Sequence, residues 1–304
     1  MNPTGPVEVW RGGVSAWECD EMGHMNVRFY AARAMQGLAG AAAALGMPQA
    51  YRAHAAASLV VRQHHVRFLQ EARMGTPLHM TAGVLAMGEA DATLLQTLVH
   101  SRTGQTAATF VTQLSHVSAR EGRPFAWPLR AHEAAEALRT EMTAEAGPRG
   151  LTQPAPAADQ VSQAAALSPC GRGVVTAEDC DVFGRMRTEL VLAKISDGIP
   201  HLIGPLRRES QAVVGPGRRV GGAAVEYQIS YFAPPAAGDL YELRSGLIAM
   251  EAKRARMRHW LVDARTGAPW AAAENLSVHF DLDNRSVINL PPEAVERLQA
   301  EVVS

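Results

Sequence analysis

The pattern of hydrophobic and polar residues predicts the same series of elements twice along this chain. In the first half, apolar residues recur at helical spacing within a segment at about 26–45, at Ala31, Met35, Leu38, Ala42 and Leu45. Strand-like apolar runs surround this helix, at about 7–19, 59–69, 78–87, 92–101 and 105–116. In the second half, a helix is predicted at about 186–203, and strands at about 172–180, 222–232, 240–249, 255–264 and 269–280. Each half is therefore predicted to be an α+β unit, in which a curled antiparallel sheet wraps a central helix.

The predicted helix of the first half should be buried on most sides. It carries no Asp or Glu between Arg28 and Leu45, and its other faces are mostly alanine and glycine. Its glycines, Gly37 and Gly40, either leave space beside the helix or let it pack closely on the sheet. Gly46-Met47-Pro48 is expected to end this helix, and Gly204-Pro205 is expected to end its counterpart.

The two halves also share sequence landmarks. Four residues of the first half recur 161 positions later, where Cys19, Asp20, Gly23 and Met25 reappear as Cys180, Asp181, Gly184 and Met186. Another run recurs 163 positions later, where Arg102-Thr103-Gly104 reappears as Arg265-Thr266-Gly267. Because the two displacements differ by only two residues, the chain is an internal duplication. We predict a first unit at 1–125, a linker at 126–169 with a helix at about 130–145, and a second unit at 170–304.

An acidic residue and several polar residues stand between the first predicted strand and helix. The segment reads Asp20-Glu21-Met22-Gly23-His24-Met25-Asn26, and Tyr30 follows within the helix. It resembles the active-site segment of hotdog-fold thioesterases, whose pattern is Asp-x-x-Gly-His-x-Asn followed by an aromatic residue. With the duplication, the resemblance is to a double-hotdog acyl-CoA thioesterase of the 4-hydroxybenzoyl-CoA thioesterase type. It implies a tandem double hotdog, with the two sheets paired edge to edge as a covalent pseudo-dimer.

The resemblance implies roles for four residues of this segment. Asp20 would attack the thioester carbonyl or activate the attacking water, and otherwise it is an ordinary helix N-cap. His24 would bind substrate or orient the water, or it only satisfies the turn. Asn26 would hold the water or fix Asp20, or it too is structural. The backbone N–H of Gly23 would be an oxyanion donor.

The second copy departs from this pattern. It keeps Asp181 and Gly184 but has Arg185 and Arg187 where the first copy has histidine and asparagine. The two arginines either form a structural ion cluster with Asp181 or bind substrate anions such as coenzyme A phosphates. Asp197, within the second predicted helix, is a lower-ranked acidic candidate.

A row of arginines alternates along one predicted strand of the second half. Arg254, Arg256 and Arg258 should point to one face of that strand. Such a row either grips the phosphates of coenzyme A or is an ordinary solvated face.

Composition narrows the classes of function. Hydrophobic residues make up 47% and charged residues 19% of the 304 residues, and the net charge is −1, which favours a globular protein without a nucleic-acid partner. No run approaches about 18 consecutive apolar residues, and residues 1–6 lack the pattern of a signal peptide. Three cysteines without a Cys-x-x-Cys, and no metal-ligand spacing, favour neither a disulfide framework nor a metal site. A cytoplasmic protein that needs no metal or cofactor is expected.

The sequence therefore predicts an enzyme that hydrolyses an acyl thioester of coenzyme A, or of an acyl carrier protein, to the free acid and thiol. One alternative is a hydratase or dehydratase of the same fold, whose motif resembles Asp-x-Asn-Pro-x-His. Here His24 is four residues after Asp20 and no proline intervenes, which favours hydrolysis. A second alternative is a double hotdog that binds acyl-CoA without catalysis. Further association of the chains into a homo-oligomer is also expected.

Overall fold

A computed structural model of the protein describes residues 4–20 and 22–303. Residues 1–3 and 304 of the predicted units, and Glu21 of the Asp20 motif, lie outside the described residues. Contacts between residues divide the chain into two compact units. The first comprises Met1–Gly147 and Thr176–Leu190, and the second comprises Pro148–Val175 and Val191–Ser304. The predicted domain boundaries and the predicted pairing of the two sheets stay predictions.

The first unit is built on a five-stranded antiparallel sheet and one long helix. In chain order its elements are β1 (Val7–Gly13), α1 (Val27–Ala44), β2 (Ala57–Phe68), β3 (Pro77–Met87), β4 (Asp91–His100), β5 (Thr106–Ser118) and α2 (Leu129–Ala137). The strand order is β1-β3-β4-β5-β2. The consecutive strands β3, β4 and β5 therefore form hairpins in the middle of this sheet, with β1 beside β3 and β2 beside β5. Helix α1 packs mainly against β1 and β3.

The second unit repeats this order with its own strands. Its elements are β6 (Ser168–Val174), α3 (Leu190–Gly198), α4 (Gly204–Val214), β7 (Val220–Tyr231), β8 (Leu240–Met250), β9 (Arg254–Asp263), β10 (Pro269–Asp281), β11 (Ser286–Val287) and α5 (Pro292–Gln299). The strand order is β6-β8-β9-β10-β7, with β11 paired to β10. The prediction of two α+β repeats, each an antiparallel sheet with a central helix, is confirmed.

The duplication extends to the packing between helix and sheet. A Cβ placed on Gly37 of α1 would lie 2.5 Å from the Sδ atom of Met80, and a Cβ on Gly198 of α3 would lie 2.6 Å from Cδ2 of Leu243. The two glycines are 161 positions apart and the two partners are 163 apart, as in the sequence landmarks. Of the two readings of the helix glycines, close packing on the sheet is therefore the one that the structure supports.

The tightest approach of α1 to the sheet is at Gly40, and it yields a prediction. A Cβ there would overlap the backbone oxygen of Val9, which cannot turn away as a flexible side chain can. Alanine in a helix interior normally stabilises by about 1 kcal/mol relative to glycine. We expect Gly40→Ala instead to lower the free energy of unfolding by about 1–3 kcal/mol, the usual cost of overpacking, measured by urea denaturation.

The matched control for this substitution is Gly222→Ala in β7, at an exposed glycine. Apart from its chain neighbours, the nearest atom to a Cβ at Gly222 is the backbone oxygen of Val278, at 3.9 Å, which is ordinary contact. This variant should be as stable as the parent protein. A Gly40→Ala protein that is equally stable would show that α1 and β1 do not meet closely at this point.

The second helix differs from its prediction. A single helix was expected at about 186–203 with Gly204-Pro205 as its end, but α3 covers Leu190–Gly198, a 3-10 turn covers Ile199–His201, and α4 starts at Gly204. Pro205 lies in the first turn of α4, where proline lacks an N–H that would have no helical partner anyway. The proline therefore begins a helix here rather than ending one.

Two further predicted elements are shorter than expected. The strand predicted at about 7–19 ends at Gly13, because Ala16–Glu18 forms a 3-10 turn in which Glu18 caps the N–H of Ser15 at 2.8 Å. The helix predicted at about 130–145 ends at Ala137. No helix within 4–20 and 22–303 is long and apolar enough to cross a membrane.

The segment after α2 is fixed to the second unit by a buried carboxylate. The Glu226 side chain on β7 accepts the backbone N–H groups of Arg149, Gly150 and Leu151, at 2.9, 2.7 and 3.1 Å. A carboxylate that accepts three N–H groups is a strong anchor for an irregular segment, because its charge strengthens each bond. Residues 149–151 of the predicted linker are thus fixed to β7 by hydrogen bonds.

Candidate active site

The Asp20 motif forms a closed loop between the 3-10 turn and α1. Cys19 and Met25 face each other as a β-bridge, and the N–H of Asp20 donates to the carbonyl of His24 at 2.8 Å. At the base of the loop, the N–H of Asn26 donates to the carbonyl of Glu18 at 2.8 Å. These bonds fix the backbone on both sides of Asp20.

The carboxylate of Asp20 has one oxygen held by the loop. Its Oδ1 atom accepts the N–H groups of Met22 and His24, at 2.9 and 3.2 Å. No hydrogen bond or ion pair joins Oδ2 to any residue in 4–20 or 22–303, and the side chain is partly exposed. The result is a carboxylate of fixed orientation whose second oxygen can act on a substrate or a water molecule.

Gly23 closes the turn of the Asp20 loop. Its φ of +76° is a conformation that favours glycine, and its N–H donates to the carbonyl of Asp20 at 2.9 Å. In the structure this N–H closes the turn, and the backbone conformation favours glycine at this position. The role of Gly23 as an oxyanion donor stays a prediction.

His24 is buried and contacts the segment that precedes β3. Its Nε2 atom lies 3.2 Å from Oε2 of Glu71 and 3.4 Å from Nη2 of Arg73. Its backbone also forms a β-bridge with Arg73. The imidazole therefore ties the loop to the neighbouring segment, while its role toward a substrate stays a prediction.

Asn26 and Tyr30 fix the start of α1. Asn26 is the N-cap, and its side-chain oxygen accepts the N–H of Arg28 at 3.0 Å. The hydroxyl oxygen of Tyr30 accepts the N–H of Ala72 at 2.9 Å. Burial raises the pKa of Tyr30 to about 12, so the phenol stays protonated at neutral pH. Both residues hold the loop and the helix in place around Asp20.

The second copy repeats this turn, but both oxygens of its carboxylate have partners. Oδ1 of Asp181 accepts the N–H groups of Phe183 and Arg185, at 2.8 and 3.0 Å, and Gly184 has a φ of +75°. Oδ2 of Asp181, however, accepts Nη2 of Arg185 at 3.4 Å, and the Arg185 guanidinium also lies 4.6 Å from the centre of the Phe183 ring. The carboxylate of the second copy is thus paired within its own loop.

The remaining second-copy candidates are also held by neighbours or exposed. Nη1 of Arg187 lies 3.6 Å from Oε1 of Glu189, and its Nη2 donates to the carbonyl of Glu178 at 3.2 Å. Burial raises the pKa of Glu189, while the charges of Arg187 and Arg28 oppose that rise. Asp197 is an exposed residue near the end of α3.

The sequence profile of the thioesterase-like superfamily matches residues 14–145 and 175–298, which is most of the chain and both copies. The chain belongs to this superfamily. No curated protein sequence matches the chain closely.

Three solved structures share the fold of this chain over nearly its whole length. A protein assigned as an oleoyl thioesterase from Lactobacillus plantarum has a TM-score of 0.68 at 13% identity, covering 95% of this chain and 98% of that one. The 12:0-ACP thioesterase from Umbellularia californica has a TM-score of 0.67 at 11% identity, covering 90% and 93%. An acyl-ACP thioesterase from Bacteroides thetaiotaomicron has a TM-score of 0.63 at 9% identity, covering 88% and 96%. At these identities the likeness establishes the thioesterase fold.

Within this superfamily member, the arginine row of β9 has carboxylate partners. Arg256 and Arg258 both pair with Glu274 on the neighbouring strand, at 2.8 and 2.6 Å, and Arg254 pairs with Glu251 at 2.6 Å. The three side chains share one face, as the alternation predicts. Three guanidinium groups thus share two carboxylates within the unit, and both readings of the row, as a structural face or as a grip on phosphates, stay predictions.

Sequence reasoning missed the residues that hold the Asp20 loop from a distance. Glu71 lies in the connection before β3 and has no local pattern that marks it. Glu18 precedes Asp20 by two residues, and it forms a buried ion pair with Arg33 of α1. The presence of Arg33 in a mostly apolar helix was the sequence feature that could have indicated this ion pair.

Proposed function

We propose that this superfamily member is a thioester hydrolase that converts an acyl thioester of coenzyme A or acyl carrier protein to the free acid and thiol. The carboxylate of Asp20 carries this proposal, because Oδ1 is fixed by two N–H groups while Oδ2 has no partner among the described residues. A catalytic group needs such a fixed orientation and one free reacting atom.

Thioester hydrolysis can proceed with this carboxylate as either a nucleophile or a general base. As a nucleophile, Oδ2 adds to the thioester carbonyl, the thiolate leaves, and water then hydrolyses the resulting anhydride. As a general base, Oδ2 takes a proton from water, and the hydroxide so formed adds to the carbonyl. In both routes the products are a carboxylate and a thiol, and a thiolate leaves without strong acid assistance.

We assign His24 and Asn26 to positioning in this proposal. His24 ties the loop to Glu71, and Asn26 caps α1, so both act on Asp20 through the backbone. The first copy, whose Oδ2 has no partner in the described part of the chain, is proposed to be the catalytic one. Asp181, whose second oxygen pairs with Arg185, is proposed to be structural.

The structural relatives support thioesters as the substrate class. Two of them are named as thioesterases of acyl carrier protein substrates and one as an oleoyl thioesterase. Both carriers, coenzyme A and acyl carrier protein, therefore belong in the substrate set to be tested. The two alternative functions are a hydratase or dehydratase of the same fold and a protein that binds acyl-CoA without catalysis.

One assay separates the three functions. The purified chain is incubated with acetyl-, octanoyl-, oleoyl- and benzoyl-CoA, with crotonyl-CoA, and with lauroyl carrier protein, and free thiol is followed with a thiol reagent. A hydrolase releases thiol from at least one saturated thioester. A hydratase changes the absorbance of crotonyl-CoA without releasing thiol. Binding of these thioesters without turnover would contradict the proposal and favour the binding protein.

A further inference from the structure

The residue two positions before Asp20 is a buried carboxylate with a charged partner. The side chains of Glu18 and Arg33 are only 5% and 14% exposed, and Oε1 of Glu18 forms an ion pair with Nη2 of Arg33. The other oxygen, Oε2, accepts the N–H of Ser15 at 2.8 Å. The guanidinium also lies 5.0 Å from the centre of the Trp10 ring on β1. A buried charge needs an oppositely charged partner, so Glu18 and Arg33 are held next to each other.

Glu18 is also the backbone base of the Asp20 loop. Its carbonyl accepts the N–H of Asn26, which is the N-cap of α1, at 2.8 Å. The loop between these two residues is therefore attached to α1 at both ends. Asn26 attaches one end through the helix itself, and the ion pair of Glu18 with Arg33 attaches the other end about two turns along.

The second copy has an acidic and a basic residue at the same two positions. Asp179 and Lys194 follow Glu18 and Arg33 by 161 residues each, the displacement that relates the two motifs. Asp179 also accepts the N–H of Thr176 at 3.0 Å, as Glu18 accepts that of Ser15. An acidic residue in the 3-10 turn and a basic residue on the helix thus occur in both copies of this loop.

We infer that the ion pair of Glu18 with Arg33 positions Asp20 for the reaction, by fixing its loop to α1. Neither residue touches the substrate in this account. Each acts through the backbone, so that Oδ2 of Asp20 stays where a thioester carbonyl can meet it. The inference rests on the proposed function, because it assigns a role toward the same carboxylate.

Three variants of the full chain test this role: Glu18→Gln, Arg33→Met and the double substitution. With the acyl thioester that the parent hydrolyses fastest, each single substitution should lower kcat about 10–100-fold and change KM less than about threefold, since a displaced catalytic group costs rate more than binding. The double substitution should be no worse than the worse single one, because it removes both charges together. A structural role alone would lower the amount of folded protein and leave kcat per folded molecule unchanged.

Two further variants make the result decisive. Glu8→Gln breaks an exposed ion pair with Arg11 in the same unit and should leave kcat unchanged. Arg33→Lys keeps the buried charge but loses the guanidinium fork, so it should retain more kcat than Arg33→Met. If the two neutral variants fold poorly, they are assayed in a stabilising osmolyte such as sucrose, and a kcat per folded molecule equal to that of the parent overturns the inference.

The inference and the proposed function fail in different ways. If the parent chain hydrolyses no thioester, or if Asp20→Asn keeps full turnover, the proposed function fails and the inference falls with it. If Asp20→Asn is inactive while Glu18→Gln and Arg33→Met turn over like the parent, only the positioning role is wrong.

Discussion

Replacing Asp20 with asparagine is expected to lower kcat/KM for thioester hydrolysis by about 10²–10⁴-fold if Asp20 is a general base, and by more if it is the nucleophile. An amide is neither a competent base nor a competent nucleophile. The amide oxygen can still accept the N–H groups of Met22 and His24, which Oδ1 now accepts. The fold should therefore survive, and circular dichroism together with thermal unfolding would show that it does.

The second copy supplies the matched control for this substitution. Asp181→Asn changes the same atoms in the same type of turn, but there Oδ2 is paired with Arg185. Both side chains of that pair are partly exposed, so its loss should cost little stability. We expect kcat/KM of Asp181→Asn to stay within about threefold of the parent protein, a change of less than about 1 kcal/mol.

The two variants together test the asymmetry between the copies. Near-parent turnover in Asp20→Asn would show that Asp20 is not the catalytic carboxylate. Equal losses in Asp20→Asn and Asp181→Asn would show instead that both copies catalyse and that the pairing with Arg185 opens in solution.

The duplication and the order of elements were predictable because their signals are local. Strand alternation, the apolar periodicity of α1 and the glycines of the turns all act over a few residues, and two copies provided the comparison. The turn around Asp20 was readable for the same reason. Gly23 and Gly184 have nearly equal positive φ values, so a repeated glycine in the sequence corresponds to a repeated backbone conformation.

Predictions failed where one residue type can serve two conformations. Proline ends helices and also begins them, and only the packing of the second unit decided that Gly204-Pro205 begins α4. The strand predicted at about 7–19 failed similarly. The apolar run continues past Gly13, but the side chain of Glu18 bonds to the N–H of Ser15 and curls the backbone into a 3-10 turn.

The partners of charged side chains could not be predicted, because they are distant in sequence. Strand alternation predicted that Arg256 and Arg258 share a face, but the facing Glu274 follows from the register of β9 with β10. Likewise, Arg33 meets Glu18 only after α1 has packed against β1. The identity of a polar residue was thus visible in the sequence, while its role depended on contacts that form with the fold.

Buried histidines give the second large effect, a loss of stability in mild acid. Burial lowers the pKa of His64 to about 3, and the pKa values of His259 and His279 to about 4. In the unfolded chain these groups titrate near 6.5. Below that pH the unfolded state binds more protons than the folded state, so the free energy of unfolding should fall as the pH drops from about 6.5 to about 4.

The surroundings of His259 show why its proton is costly. Oδ1 of Asn275 can only accept, so Nε2 of His259, at 2.8 Å, carries the hydrogen, and Nδ1 accepts the hydroxyl of Ser245 at 2.8 Å. The Sγ of Cys170 in turn donates to that hydroxyl oxygen, at 3.3 Å. A proton on Nδ1 would break this chain of bonds in a buried site. A shift of this size corresponds to about 3 kcal/mol for His259 alone.

The first copy suggests the variant that tests this contribution. Gln96 stands 163 positions before His259, is equally buried, and accepts a hydrogen bond from Thr112 at 2.9 Å. His259→Gln thus places at this position the residue that the other copy already uses, without a group that titrates. Urea unfolding at pH 7.5 and pH 4.5 should show a pH-dependent loss smaller by about 2.5 kcal/mol in His259→Gln than in the parent, since the rest of the shift is reached only below pH 4.5. His54→Gln, at an exposed histidine, should lose as much stability as the parent between the two pH values. If His259→Gln does the same, His259 is not a source of the acid sensitivity, and the loss comes from other groups, of which His64 and His279 are the next to substitute.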